Sequence, residues 1–323
     1  MKKINKMVLA GAVLCMTVLV GCAKERTTSL EKQETNQKIN VVATIFPEYD
    51  FLRQIAGDKI NLTMLLTPGA ESHSFEPTPQ NVKNVNNADL FVYVGGDSDA
   101  WVESILDSTA ENSMKVITLM DCVEVVEEET VEGMTPEEEE EGKVETEPEY
   151  DEHVWTSPRN AQLIVQKLCN ALSEVDPENA KVYQQNTTDY IKKLEQLDQS
   201  FQDVVNHSVR KEIIVGDRFP FRYFADAYGL TYYAAFPGCA ADAEPSAQTI
   251  AFLTDKVKED KIPVVFHIEL SNEKVCNSIC EASGAKSELL NAVHNISKED
   301  FESGVTYLEL MQKNVEVLKE ALN

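Results

Sequence analysis

After Pro177 the chain offers no helix breaker until about His207, and that run constrains everything around it. Asp176, Pro177 and Glu178 supply an N-cap, a proline at the first helical position and an acidic first turn. About 28 residues at about 1.5 Å each make a rod of roughly 40 Å, longer than a typical domain helix. With 323 residues the chain has the length for two domains with their own cores. A stiff rod at 176–207 therefore reads as the connector between two lobes.

On either side of the rod, strand-like runs alternate with helical periodicity. The runs 39–46, 60–66, 89–94 and 115–120 read as strands before it, and 212–215, 230–235 and 263–269 after it. Helical stretches lie between them, and the chain closes on another at 305–321. Such alternation favours parallel sheets covered by helices. The fold class is α/β: two lobes with parallel-rich sheets, 39–175 and 208–323, joined by one long rigid helix. No sequence repeat relates the halves, so any likeness between them is structural.

The N-terminus reads as a targeting signal. Lys2, Lys3 and Lys6 precede an apolar stretch too short to span a bilayer comfortably, and Leu19-Val20-Gly21-Cys22 ends it. Residues 1–21 look like a bacterial lipoprotein signal, with the Cys22 sulfur as the lipidation site; two acyl chains there suffice for stable anchoring. Residues 22–38 form a solvated tether. The expected location is extracytoplasmic, lipid-anchored to the cell membrane. Besides Cys15 and Cys22, five cysteines remain, an odd number that argues against a full disulfide framework and favours buried thiols. Cys276 and Cys280 at helical spacing leave a metal site open.

A formal net charge of −26 excludes nucleic acid as a natural partner and points to cations. The insert 121–152 alone carries sixteen carboxylates against one lysine, and it ends where His153 begins "HVWTSPRN". Two readings of this insert stand: a cation-collecting antenna feeding His153, or a solvated loop.

Of five histidines, His73, His153 and His294 fall in loops leaving strand ends, where open α/β sheets build their crevices. Imidazole is the commonest zinc ligand, and three histidines with one carboxylate satisfy a four-coordinate ion. His207 sits near the end of the rod, where the helix dipole favours it. His267 alternates with Val265 and Glu269 and reads as a core residue or as a neighbour of the crevice. There is no HExxH, G-x-S-x-G or phosphate-binding glycine loop, so an enzyme is not expected.

The succession "ATIFPEYDFLRQIAGD", "PGAESHSFEPTPQ", acidic insert, "EHVWTSPRNAQ", long helix, "GDRFPFRYFADAYGL", "VTYLELMQKNVEVLKEAL" resembles the substrate-binding lipoproteins of bacterial zinc and manganese ABC importers across 39–323. The resemblance implies a metal held between lobes by one residue from each of four loops. His73 and His153 match the first two ligands, and His294, ten residues after Gly284, the last. At the third position the family has histidine or glutamate, but "VGDRFPFRYF" offers Asp217 and the cation Arg218, which cannot ligate. Asp217 is the expected fourth ligand, with Glu269 as its substitute. Three imidazoles favour Zn2+ over Mn2+, which remains open. The implied partners are the divalent ion, a membrane ABC permease and, through the lipid anchor, the membrane; the chain is expected to be a monomer. An extracellular metal-dependent hydrolase and a cell-adhesion lipoprotein stand as alternatives.

Overall fold

The run 39–46 yields only a four-residue strand, β1 (Asn40–Ala43), because Pro47 opens α1 (Phe46–Ala56) immediately behind it. The Glu48 carboxylate in the first turn of α1 accepts the N–H groups of Thr44 and Ile45 at 2.8 and 3.1 Å, closing the strand-to-helix corner. The structure, a computed structural model, describes residues 38–70, 75–108, 113–134, 149–239 and 245–323. The expected signal 1–21, Cys22, the tether up to residue 37, His73 and the middle of the acidic insert lie outside these residues.

The N-terminal lobe continues through β2 (Asn61–Met64), α2 (Pro79–Asn86), β3 (Leu90–Tyr93), α3 (Trp101–Ser108) and β4 (Lys115–Thr118). All its strands run parallel in the order β2-β1-β3-β4. Apolar side chains cover both faces, as a parallel sheet requires. Val41, Ala43, Leu90 and Val92 face the central core, while Val42 and Phe91 face a smaller core with Val85 and Val102.

Two helices follow the acidic insert, α4 (Pro158–Val175) and the rod α5 (Ala180–Asn206). The rod starts three residues later than its sequence suggests. Asp176 does not cap it: its Oδ2 accepts the Tyr183 hydroxyl at 2.5 Å and the Asn179 amide at 2.8 Å, and its N–H closes α4 onto the Leu172 carbonyl. Tyr183, Thr187, Tyr190, Leu194, Leu197, Phe201 and Val205 make one buried stripe along the whole 27-residue helix.

The C-terminal lobe comprises β5 (Glu212–Phe219), α6 (Arg222–Tyr228), β6 (Thr231–Pro237), α7 (Ala247–Glu259), β7 (Val264–His267), α8 (Lys274–Ser283), β8 (Lys286–Leu289), α9 (Lys298–Ser303) and α10 (Tyr307–Ala321). Its strands are parallel in the order β6-β5-β7-β8, which repeats the N-terminal succession strand for strand. The halves are thus alike in topology with no repeat in sequence.

The main core runs through both lobes, joining the inner sheet faces to α1, α4, α5 and α10. Polar ties cross the same ground. The buried Asp50 of α1 accepts the Tyr307 N–H at 2.7 Å, and Arg53 donates to the Val305 carbonyl at 2.7 Å. Among the described residues no helix is long and apolar enough to cross a membrane.

Candidate metal centre

His153 stands at the exit of the acidic insert, on a short turn that leads through Trp155 into α4. The Asp151 Oδ1 accepts its backbone N–H at 2.8 Å and meets its ring Nδ1 at 3.0 Å. With that carboxylate as acceptor, the neutral ring carries its proton on Nδ1 and its lone pair on Nε2. The ring is fully buried, and burial holds its pKa below the ordinary imidazole range against the opposing pull of Asp151. Gly238, following β6, admits it: a Cβ there would stand 3.0 Å from His153 Cε1 and 2.9 Å from the Phe219 carbonyl.

His294 belongs to the loop after β8. The preceding residue, Val293, is buried with φ of 64°, a left-handed conformation that a β-branched residue rarely adopts. Such strain persists only where the surroundings overdetermine it, and they do so here. Glu269 accepts the N–H groups of Ala292 at 2.7 Å and His294 at 2.8 Å, and its Oε1 lies 3.5 Å from His294 Nδ1. From the other lobe, Phe46 donates its N–H to the His294 carbonyl at 3.2 Å, and the Trp155 indole donates to the Ala292 carbonyl at 2.8 Å.

The two histidines therefore arrive from opposite lobes, with ring centroids 4.6 Å apart, nearly perpendicular, and both packed edge-on against Trp155. They line a cavity of about 30 Å³ together with Phe75, Asp99 and Glu152. That is room enough for a water-sized group, and so for an ion. Burial pushes the Asp99 carboxyl up to about 6 and that of Glu152 up to about 7. Among the described residues no three His, Cys, Asp or Glu side chains cluster as a metal site. Before His73 the Gly69 N–H bonds the Ile296 carbonyl and Asn295 donates to the carbonyls of Thr67 and Ala70, and after it Phe75 lines the cavity.

The two expected carboxylates lie elsewhere. The register of β5 against β6 shifts between Val215 and Arg218, and Asp217 lies within that shift, its Oδ1 accepting the Arg218 N–H at 2.9 Å. Asp217 lines a separate cavity of about 490 Å³ with Glu269, Lys274 and Ser278 and is not among the residues lining the histidine cavity. Glu269 reaches the centre through the backbone and Nδ1 of His294. His267 ends β7 half-buried, its Nδ1 3.2 Å from the Ile268 carbonyl, and His207 caps α5. The five cysteines of the described residues are free thiols, with Cys169 and Cys276 buried. Sequence reading missed Asp151, although it stands two residues from His153, and Trp155, which shares its string. Nothing in sequence spacing marks Tyr223.

That tyrosine, on α6, holds the root of the acidic insert. Residues 123–131 leave β4, make a bridge between Glu127 and Tyr150, and lie on the C-terminal lobe. The Tyr232 hydroxyl donates to Glu129 at 3.0 Å, and the Cys239 N–H to Glu128 at 2.8 Å. Tyr223 donates to the Asp151 carbonyl at 2.7 Å and accepts the Val126 N–H at 3.3 Å.

A family model described as "Zinc-uptake complex component A periplasmic" matches residues 41–321. The zinc-binding lipoprotein AdcA of Streptococcus pneumoniae is 32% identical over 99% of this chain, which spans only 61% of AdcA. The high-affinity zinc uptake system protein ZnuA of Bacillus subtilis is 32% identical, with 95% of each chain covered. The crystal structure of the Zn(II)-bound ZnuA-like domain of Streptococcus pneumoniae AdcA superimposes with a TM-score of 0.73 at 30% identity, covering 88% of this chain and 99% of that one. On the match of its residues 41–321, the chain belongs to the zinc-uptake complex component A family.

Proposed function

We propose that the protein captures a divalent transition metal, zinc before manganese, between its lobes and delivers it to an ABC permease. The observation that carries this reading is the meeting of His153 and His294 from opposite lobes at a cavity of one-ion size. Each imidazole has a carboxylate at Nδ1, the arrangement that orients zinc-bound histidines and raises their basicity. His73 supplies a third imidazole from a loop whose flanks border the cavity. For the remaining position the sequence favours Asp217, with Glu269 as its substitute; Glu269 accepts two backbone N–H groups and faces His294 Nδ1, a placement that orients the ring. Nitrogen donors suit zinc, whereas manganese prefers oxygen. Kinship to zinc-uptake proteins supports an extracytoplasmic location and a permease as docking partner, and the signal-like N-terminus supports lipid on Cys22.

Elemental analysis and competition titration of the detergent-solubilised full chain test this. We expect about one zinc per chain, and losses of at least about tenfold in affinity for His153→Ala and for His294→Ala. Glu269→Gln should cost more than Asp217→Ala. Stoichiometric zinc of unchanged affinity in both histidine variants would overturn the reading.

A further inference from the structure

The acidic insert leaves the N-terminal lobe at β4 and returns to it at His153, yet its root is fastened to the opposite lobe. Val126 and Asp151 face each other there, the Asp151 N–H donating to the Val126 carbonyl at 3.0 Å. The hydroxyl of Tyr223, at the start of α6, closes the same pair from the side. It accepts the Val126 N–H and donates to the Asp151 carbonyl, so both arms of the insert are held by one atom. Asp151 in turn holds the backbone and ring of His153 through a single carboxylate oxygen. Tyr223 is 5% exposed, and burial pushes its phenol well above the ordinary range, which keeps it a donor at any working pH.

We infer that Tyr223 is a positioning residue for metal capture: through the Asp151 carbonyl it fixes the carboxylate that holds the His153 proton on Nδ1. The inference rests on His153 being a ligand. It gives α6 a part in the centre unlike the one its sequence suggests, since the helix reaches the ion through a tyrosine two links away from it. It also makes the aim of an N-terminal-lobe ligand depend on a C-terminal-lobe side chain. The lone pair on His153 Nε2 then points correctly only while the lobes stand in their present relation.

Tyr223→Phe removes the hydroxyl and keeps the packed ring. Tyr232→Phe is the control, because its hydroxyl binds Glu129 on the same insert without touching Asp151. The full chain in detergent is titrated with zinc against a competing chelator, and ¹⁵N NMR reads the His153 tautomer in the metal-free state. We expect Tyr223→Phe to lose about tenfold in zinc affinity, within the range for outer partners of metal-bound histidines, and to mix the two tautomers. Tyr232→Phe should stay within about twofold, well below that range. Three results would each overturn the proposal: unchanged affinity and tautomer in Tyr223→Phe while His153→Ala loses zinc, which leaves the ligand reading intact; an affinity loss with an unchanged tautomer; or an equal loss in Tyr232→Phe. Zinc of unchanged affinity in His153→Ala would overturn this inference, and in His294→Ala as well the proposed function with it.

Discussion

At the cavity wall Asp99 is 9% exposed, and its Oδ2 accepts the N–H groups of Val94 and Gly95 at 2.8 and 3.1 Å. Its carboxyl titrates near 6 in the folded chain, against about 3.9 when unfolded. The folded state therefore binds the extra proton between those values. The corresponding stability, on the order of 3 kcal/mol, is present below pH of about 4 and is lost as pH rises through about 6. Asp99→Asn keeps an acceptor oxygen and removes the titration. The melting temperature of the metal-free variant should exceed that of the parent by a margin that grows from pH 4.5 to pH 7; parallel profiles would contradict this. The same scale shows what sequence could and could not reveal. His153 and His294 were legible because histidines are few in this chain and these stand in loops at strand ends. Asp151 acts through a backbone N–H and a ring nitrogen, and one more carboxylate in a chain with 55 of them carries no mark. Asp217 lies within the register shift of β5 and lines the separate cavity, a placement that no residue type announces.

Among the elements, α5 was the most legible, since its breaker-free run survives in the structure as one 27-residue helix. Only its first turn differs, where Tyr183 draws Asp176 away from the cap. Phe201 packs edge-on against Phe224 with centroids 4.8 Å apart and is fully buried. Phe201→Ala should cost about 3–5 kcal/mol in urea unfolding, through lost burial and the cavity left between α5 and α6. A smaller change tests the second lobe. A Cβ on Gly216 would stand 2.6 Å from Cys276 Cα in α8, a contact that only a backbone shift can relieve. Gly216→Ala should destabilise by about 1–3 kcal/mol, and a neutral result would mean that α8 yields easily. Short strands were placed by sequence only to within a few residues, because their ends are decided by corners such as Glu48 rather than by the apolar run itself.

Across the whole molecule, the repeated strand order of the two lobes was invisible in sequence because topology constrains burial pattern and not residue identity. The continuous core and the ties from Asp50 and Arg53 to the segment ahead of α10 join the lobes firmly. Small-angle scattering of the metal-free and zinc-loaded protein should accordingly give superimposable curves, whereas hinge closure would appear as a contraction. The central claim is that one ion sits where His153 and His294 converge from opposite lobes. Anomalous diffraction at the zinc edge from zinc-loaded crystals tests it most directly. One peak is expected about 2.0–2.1 Å from a ring nitrogen of each histidine; a principal peak in the Asp217 cavity, with neither histidine in contact, would refute that placement.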